Sequence, residues 1–263
     1  MKKIVFLTGG SSGIGLETAK ALSRAGCCVY EMSRRPFSSE TVHHLTGDVT
    51  SPEQITTAVQ QIIAREGRID ILINNAGFGI SGAAEFTAAE AAKRQMDVNF
   101  LGYANVCNAV LPIMRAAGGG RIVNLSSVAA AAPIPFQAFY SASKAAVNAY
   151  TLALANEVRP FGVSVCAVMP GDIKTGFTAA REKEPDGDTI YGGRIFRSVE
   201  KMEKDEQNGM DPAKAGAYIA KIALKKSVKP LYVLRTDYKL IVLLTRFLPV
   251  RLLNAVIGRL YAR

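Results

Sequence analysis

Short apolar segments alternate with longer helical patterns along almost the whole chain, and this alternation constrains the fold more than any other feature. The apolar segments predict strands at residues 4–7, 28–32, 71–73, 121–125, 163–168 and 230–234. The intervening patterns predict helices at residues 15–25, 52–65, 95–116, 138–158 and 212–225. Strands separated by helices pair in parallel, and right-handed crossovers place the helices on both faces of the sheet. We therefore expect an α/β fold, a doubly wound parallel sheet of about seven strands, in one domain over residues 1–263.

Two segments interrupt the alternation. Residues 175–209 are polar, charged and glycine-containing, and an insertion of this length inside a domain usually serves binding or is disordered. We interpret it as a substrate lid whose apolar side chains cover a ligand; these are Phe177, Ile190, Tyr191, Ile195, Phe196 and Met202.

The second interruption is the apolar and basic C-terminal tail, residues 237–263. Pro249 is expected to separate two amphipathic helices. The tail has no run of eighteen uncharged apolar residues, so we expect no membrane span. A packed helix pair or a subunit interface is favoured. A fold over the cleft and a peripheral contact with an anionic membrane remain open.

Composition narrows the classes of function. The net charge of +10 indicates a polyanionic cofactor or an anionic surface as partner. No nucleic-acid motif is present, so we expect no nucleic-acid partner. The four cysteines lack CxxC spacing and the two histidines are adjacent, so we expect no metal site. Free cysteines fit a reducing compartment, and the first apolar segment is too short for a signal-peptide core, which predicts a cytoplasmic protein.

A glycine-rich loop follows the first predicted strand and opens the first predicted helix. It contains Gly9, Ser11, Ser12, Gly13, Ile14 and Gly15. Glycines allow a tight turn and close approach of a pyrophosphate, while the helix N-terminus offers free N–H groups and a positive dipole end. The position of the loop between strand and helix therefore predicts a dinucleotide site.

The end of the second predicted strand indicates which dinucleotide binds. No carboxylate follows the strand, whereas Ser33, Arg34 and Arg35 do. A guanidinium donates two parallel hydrogen bonds to a phosphate, which favours the 2′-phosphate of NADP(H) over the free hydroxyl of NAD. The alternative is a solvated basic turn.

Tyr140 and Lys144 lie four residues apart in a predicted helix and therefore share one face. A nearby ammonium lowers the pKa of a phenol, which would suit Tyr140 to acid/base catalysis. A serine at the end of the preceding strand can polarise a carbonyl oxygen, and Ser126 and Ser127 are equally suited by chemistry alone.

Six motifs in this order resemble the short-chain dehydrogenase/reductase family, over about residues 2–230. They are the glycine loop, residues 47–50 with Asp48 and Val49, residues 74–77 with Asn75, Ala76 and Gly77, Asn99, the segment from Tyr140 to Lys144, and the segment with Pro170, Gly171, Ile173 and Thr175. The resemblance implies a Rossmann-type sheet. It also implies that Asp48 contacts the adenine, that residues 75–77 lie near the cofactor, and that residues 170–175 clasp the nicotinamide.

The resemblance further implies a catalytic set of Asn99, Ser127, Tyr140 and Lys144, because the family places its serine thirteen residues before the tyrosine. Ser127 would polarise the carbonyl, Tyr140 would supply the proton, Lys144 would lower the tyrosine pKa and hold the ribose, and Asn99 would anchor a water.

We expect an oxidoreductase that interconverts a ketone and a secondary alcohol on a small hydrophobic substrate. A steroid-like substrate comes first, and an acyl-lipid or retinoid is the alternative. The family commonly forms dimers or tetramers, so a homodimer or homotetramer is expected. A dinucleotide-sensing protein without catalysis is disfavoured because the full catalytic set is present, and a nucleotide-sugar epimerase is disfavoured by the glycine spacing.

Overall fold

A seven-stranded parallel sheet forms the centre of the computed structural model, which describes residues 2–262. Its strands are β1 (Ile4–Thr8), β2 (Cys28–Ser33), β3 (His43–Thr46), β4 (Ile71–Asn74), β6 (Gly120–Leu125), β7 (Val163–Met169) and β9 (Leu231–Val233). They lie in the order β3-β2-β1-β4-β6-β7-β9. The two-residue strands β5 (Ile80–Ser81) and β8 (Glu182–Lys183) pair separately. Met1 and Arg263 lie outside the described residues, and the prediction of one domain over 1–263 stays a prediction.

Helices cover both faces of the sheet, as the alternation predicts. They are α1 (Gly13–Arg24), α2 (Pro52–Glu66), α3 (Ala89–Met96), α4 (Gly102–Ala116), α5 (Ala138–Val158), α6 (Arg194–Gln207), α7 (Pro212–Ala223), α8 (Thr236–Leu244) and α9 (Val250–Tyr261). The expected α/β doubly wound fold is therefore confirmed.

The strands read as continuous apolar runs because each face of the sheet is covered by helices. Neighbouring side chains of β1 point to opposite faces: Phe6 packs in the core layer beneath α2, α4 and α5, and Val5 packs in the layer beneath α1 and α7. All carboxyl ends of the strands meet at one edge, where ligands bind in such sheets. The sheet thus positions the loops after β1, β4, β6 and β7 side by side.

The structure differs from the sequence-based expectation at the strands β3, β5 and β8 and at the start of the helix predicted over 95–116. β3 was not among the predicted strands because His43-His44-Leu45-Thr46 is a polar edge segment with only Leu45 buried. The helix predicted over 95–116 begins earlier, at Ala89, and a π-helical turn at Asp97–Leu101 interrupts it. Such turns occur often at functional sites, and this one carries Asn99.

The lid and the tail form one packed unit above the carboxyl edge. Ile195, Val199 and Met202 of α6 are buried in a third core cluster, against which Tyr261 of α9 packs. Pro249 precedes α9, so the predicted break between two tail helices is confirmed. Within residues 2–262, no helix is both long and apolar enough to cross a bilayer.

Candidate active site

The loop between β1 and α1 forms a cradle that side chains would block. Gly9 and Gly13 have φ of +69° and +54°, a region that favours glycine. A Cβ at Gly15 would lie 2.2 Å from the carbonyl oxygen of Gly9. Ser12 makes no side-chain cap and the first turn of α1 has no acidic residue, so the N–H groups of this helix end are left for an anion. The cradle therefore fits the pyrophosphate of a dinucleotide.

The loop after β4 forms hydrogen bonds with the start of the glycine loop and stabilises it. Asn75 Nδ2 donates to the carbonyls of Thr8 (3.1 Å) and Gly9 (2.8 Å). The Thr8 hydroxyl accepts from the backbone N–H groups of Asn75 (3.1 Å) and Ala76 (3.2 Å). A Cβ at Gly9 would lie 2.9 Å from Ala76 Cα, so the two loops touch through backbone. Asn75 and Ala76 therefore shape the cofactor site.

The residues expected to contact the 2′-phosphate and the adenine lie together at the ends of β2 and β3. Arg34 and Arg35 are exposed, and Arg34 Nη1 is 4.0 Å from Asp48 Oδ2. Asp48 Oδ1 accepts from both the N–H and the hydroxyl of Thr50, each at 2.8 Å, so this aspartate also stabilises its own turn. Val49 is buried against Gly102. Both guanidiniums are exposed just after β2, which fits the anionic 2′-phosphate of NADP(H).

A buried carboxylate that the sequence analysis missed lies beneath the cradle. Glu31 is fully buried in β2, and its Oε2 accepts from the N–H of Gly10 at 3.1 Å. Its other oxygen contacts His44 Nδ1 and accepts from the Ser33 hydroxyl at 3.2 Å. Both carboxylate oxygens thus have hydrogen-bond partners within the protein, and Glu31 stabilises the glycine loop. An acidic residue within an apolar strand was the available signal.

The geometry distinguishes the two candidate serines. Ser126 is buried and its hydroxyl donates to the backbone carbonyl of Lys144 at 3.0 Å, a structural role. Ser127 caps the short turn Val128–Ala130 by accepting from Ala129 N at 3.1 Å, and it hydrogen-bonds with Tyr140. Ser127 is therefore the serine that faces the phenol.

Tyr140 and Lys144 share the same helix face, in a desolvated setting. Burial raises the pKa of Tyr140 to about 12, and the bond with Ser127 opposes that rise. Burial lowers the pKa of Lys144 to about 7, because a dry site disfavours the ammonium. The positive charge of Arg181 also lowers the tyrosine pKa. The expected effect of Lys144 on the pKa of Tyr140 stays a prediction.

The Lys144 amine lies 5.9 Å from the centre of the Tyr140 ring and is hydrogen-bonded to two other groups. Nζ donates to the Leu125 carbonyl at 2.8 Å and to the Tyr103 hydroxyl at 3.4 Å. Tyr103 is fully buried in α4 and its hydroxyl also donates to Leu125 O, at 3.1 Å. The sequence analysis did not identify Tyr103. Its position one helical turn after Asn99 could have indicated that it lies on the side of the site.

Asn99 links three elements through its side chain. Nδ2 donates to Phe78 O (2.9 Å) and to Ser143 Oγ (3.2 Å), and Oδ1 accepts from Phe78 N (3.0 Å). A Cβ at Gly77 would lie 3.0 Å from Asn99 Oδ1 and 3.6 Å from Lys144 Nζ. The asparagine therefore positions the loop after β4 beside the lysine, and its side chain is committed to that contact.

The segment after β7 closes the site. Pro170 O accepts from Val128 N at 2.9 Å, and Ile173 is buried and bridges to Met210. Thr175 lies over the cradle, since a Cβ at Gly13 would be 3.5 Å from Thr175 Cβ. The segment expected to clasp the nicotinamide thus reaches the glycine loop, and the role itself stays a prediction.

Gly171 of this segment lies against the tail. A Cβ at Gly171 would meet the Tyr238 ring of α8 at 2.2 Å. The Tyr238 hydroxyl contacts Asp172 Oδ2 and accepts from Asp172 N at 3.3 Å. Burial raises the pKa of Asp172, and the bond from Tyr238 lowers it. Sequence reasoning missed this pair, which joins the tail to the site.

The first part of the lid lies over the tyrosine. The rings of Phe177 and Tyr140 are 5.9 Å apart, and the Arg181 guanidinium is 5.8 Å from the Phe177 ring. Arg181 is buried and pairs with Glu206, which also accepts from Thr178 Oγ1 at 2.6 Å. Of the six apolar lid residues, Ile190 and Phe196 are exposed and Tyr191 bonds Glu85. Phe177 is therefore the lid residue closest to the chemistry.

The family model described as short chain dehydrogenase matches residues 3–186. The chain is 48% identical over 228 residues to 3-ketodihydrosphingosine reductase of Bacteroides thetaiotaomicron, covering 86% of this chain and 85% of that protein. It is 34% identical to the NADPH-dependent 1-acyldihydroxyacetone phosphate reductase of Saccharomyces cerevisiae, covering 82% and 76%.

Solved structures agree over nearly the full length. A short-chain dehydrogenase from Streptomyces avermitilis superposes with a TM-score of 0.84 and 29% identity, covering 98% of this chain and 95% of that one. ElxO with NADP bound superposes with a TM-score of 0.75 and 27% identity, covering 91% and 99%.

Proposed function

Because this chain belongs to the short-chain dehydrogenase family of oxidoreductases, we propose that it is an NADP(H)-dependent reductase that converts a long-chain lipid ketone into a secondary alcohol. The observation that carries the proposal is the 48% identity to a 3-ketodihydrosphingosine reductase over 85% of that protein's length. The similarity to an acyldihydroxyacetone phosphate reductase, another lipid-ketone reductase by name, points to the same substrate class.

The cradle and the basic turn support NADP(H) as the cofactor. The N–H groups of α1 would hold the pyrophosphate, and Arg34 and Arg35 would hold the 2′-phosphate. Asp48, paired at 4.0 Å with Arg34, would lie beside the adenine. When bound, the cofactor supplies the hydride for the carbonyl carbon.

The chain's own residues would polarise the ketone and deliver the proton. The Ser127 hydroxyl would donate to the carbonyl oxygen, which stabilises the negative charge that develops there. Tyr140 would then donate its phenolic proton to the alkoxide oxygen and complete the alcohol. Its raised pKa keeps it protonated at neutral pH, which suits an acid in the reductive direction. Lys144 would stabilise the resulting phenolate and hold the ribose.

Phe177 and the charges that act on Tyr140 support a lipid that carries an amino group. The Phe177 ring lies 5.9 Å from the Tyr140 ring. It would cover the alkyl chain of a bound lipid where that chain extends out of the active site. After the larger effect of burial, the charges of Glu206 and Asp172 raise the pKa of Tyr140, and the charge of Arg181, which pairs with Glu206, lowers it. Two carboxylates against one guanidinium favour an ammonium beside the ketone, as in a 3-keto sphingoid base.

The steroid-like substrate, the homodimer or homotetramer and the cytoplasmic location remain predictions of the sequence. None of the relatives named above is a steroid enzyme by its name.

A substrate panel tests the proposal. The purified protein is given NADPH or NADH with 3-ketodihydrosphingosine, its N-acetylated form, 1-acyldihydroxyacetone phosphate and a steroid ketone, and coenzyme oxidation is followed by absorbance. We expect NADPH with the free-amine lipid ketone to give the highest kcat/KM, and N-acetylation to lower it. A steroid turned over faster than both lipids would overturn the substrate class.

A further inference from the structure

The outward face of the two tail helices is apolar and lies in water. Nine of the fourteen exposed large apolar side chains in residues 2–262 lie between residues 240 and 260. Phe247 and Val250, at the turn between α8 and α9, are 76% and 79% exposed. A soluble surface rarely concentrates apolar area in this way without a partner. We call the exposed side chains of residues 239–260 the tail surface.

The charges on the tail surface all have one sign. Lys239, Arg246, Arg251 and Arg259 are exposed, and residues 238–262 contain no aspartate or glutamate. Asp237, the carboxylate that directly precedes this segment in the sequence, already pairs with Arg235 at 2.6 Å. The tail surface is thus apolar and cationic without internal compensation.

The inward face fixes the two helices to the body. Tyr238 packs on Gly171, and Ile257 is buried. Tyr261 donates to Asp205 of the lid helix at 3.1 Å, and Arg194 Nε donates to the Ala262 carbonyl at 2.6 Å. The tail surface is therefore a fixed platform, whose orientation relative to the lid is set by these contacts.

We propose that the tail surface docks on an anionic lipid bilayer, with both helices lying in the plane of the interface. Apolar side chains interspersed with arginine and lysine suit the boundary between acyl chains and anionic headgroups. The helices have 9 and 12 residues. At 1.5 Å per residue they are about 14 and 18 Å long, against about 30 Å for the hydrocarbon core, so they lie on the bilayer rather than cross it.

Charge argues against a second copy of the chain as the occupant. A two-fold contact places the same patch of each copy against the other. Two tail surfaces would bring eight cations together with no carboxylate between them, four from each copy. An anionic bilayer supplies the missing negative charge. The lid helix α6 packs on α9, so docking would also bring the bilayer beside the substrate lid.

Vesicle flotation tests the docking, with phosphatidylcholine vesicles that contain or lack phosphatidylglycerol. The full-length protein should float with the anionic vesicles, weakly with the neutral ones, and less as salt rises. Each cation near an anionic surface strengthens binding by about fivefold, so Arg246→Glu/Arg251→Glu/Arg259→Glu should weaken it by at least about 100-fold. Leu243→Ser/Phe247→Ser should weaken it by about tenfold or more without changing net charge.

A matched control separates docking from general attraction of a basic protein. Arg24, Lys226 and Lys229 are exposed where α1 ends and before β9 begins, at the amino edge of the sheet. Reversing all three changes the net charge as much as the tail triple does, yet should leave flotation near the wild-type level. Equal loss in both triples, undiminished flotation of the tail variants, or no flotation of the wild type would overturn the proposal. A tail-dependent dimer on gel filtration without flotation would assign the surface to a second copy.

Discussion

Replacing Lys144 with methionine should make the cofactor-free protein more stable at neutral pH while it destroys turnover. Lys144 is 5% exposed, and burial lowers the pKa of its amine from 10.5 to about 7. Lowering the pKa by about 3.5 units costs the folded protein about 5 kcal/mol when Lys144 is fully charged in the unfolded chain. About 4 kcal/mol of this cost applies at pH 7. The substitution loses the bond to Leu125 O, worth about 1–2 kcal/mol, and Tyr103 still donates to that carbonyl. We expect a net gain of about 2–3 kcal/mol.

The sign of the pH dependence follows from proton binding. Between about pH 7 and pH 10.5 the unfolded chain holds the proton of Lys144 and the folded chain has released it, so the stability of the wild type rises with pH in that window. The rise amounts to about 2 kcal/mol between pH 7 and pH 9, and it flattens below about pH 7, where both states are protonated.

Urea unfolding of both proteins at several pH values measures this effect. The advantage of Lys144→Met should shrink from pH 7 to pH 9, because all other groups titrate equally in the two proteins. Lys226→Met, at an exposed lysine, should follow the wild type at every pH. A variant that is less stable at pH 7, or a stability difference that does not change with pH, would refute the reasoning from burial.

Three further predictions concern the catalytic serine, the cofactor turn and the cradle. Ser127→Ala should lower kcat by about 100-fold or more, as loss of a carbonyl donor does, whereas Ser126→Ala should mainly lower the melting temperature because its hydroxyl holds backbone. Arg34→Ala/Arg35→Ala should raise KM for NADPH by about 10–100-fold and leave KM for NADH nearly unchanged; equal changes for both coenzymes would contradict the phosphate assignment. Gly15→Ala should cost at least about 2 kcal/mol of stability and weaken NADPH binding measured by fluorescence, because its Cβ would be 2.2 Å from backbone. Gly258→Ala, which meets nothing within 4 Å, is the matched control and should be neutral or stabilising.

The sheet and its order of elements could be predicted because both faces of each central strand are buried. Strands such as Val5-Phe6-Leu7 then appear as apolar runs that alternate with helical patterns. β3 could not be predicted in this way, because an edge strand with polar residues has no such run. The π-helical turn at Asn99 could not be predicted either, because the sequence keeps a helical pattern on both sides of it.

The positions of the site residues followed from motif spacing, but their electrostatics did not. Spacing brings Tyr140 and Lys144 to one helix face, while only the fold reveals that Leu125 O and Tyr103 hold the amine. In the same way, Glu31 belongs to an apolar strand by sequence, and its contacts with Gly10 and His44 depend on strand pairing. Contacts between residues far apart in sequence decide these environments, and periodicity carries no information on them.

The tail was the least predictable part, since one pattern allowed a packed pair, an interface, a cover for the cleft or a membrane contact. In the structure, the two sides of the tail helices differ. The inner face packs on Gly171 and the lid, and the outer face is apolar and basic. Packing is therefore present on the inner side of these helices, and the contact with a bilayer on the outer side is the proposal made above.

The most direct test of the proposed chemistry is hydride transfer from NADPH to 3-ketodihydrosphingosine by the wild type and by Tyr140→Phe, with NADPH binding measured in parallel. We expect the wild type to form the secondary alcohol with one NADPH oxidised per ketone. The variant should lose at least about 100-fold in kcat while it binds NADPH as the wild type does. Turnover of Tyr140→Phe close to the wild-type rate would contradict the assignment of Tyr140 as the proton donor, and a wild type that reduces none of the ketones would contradict the reductase itself.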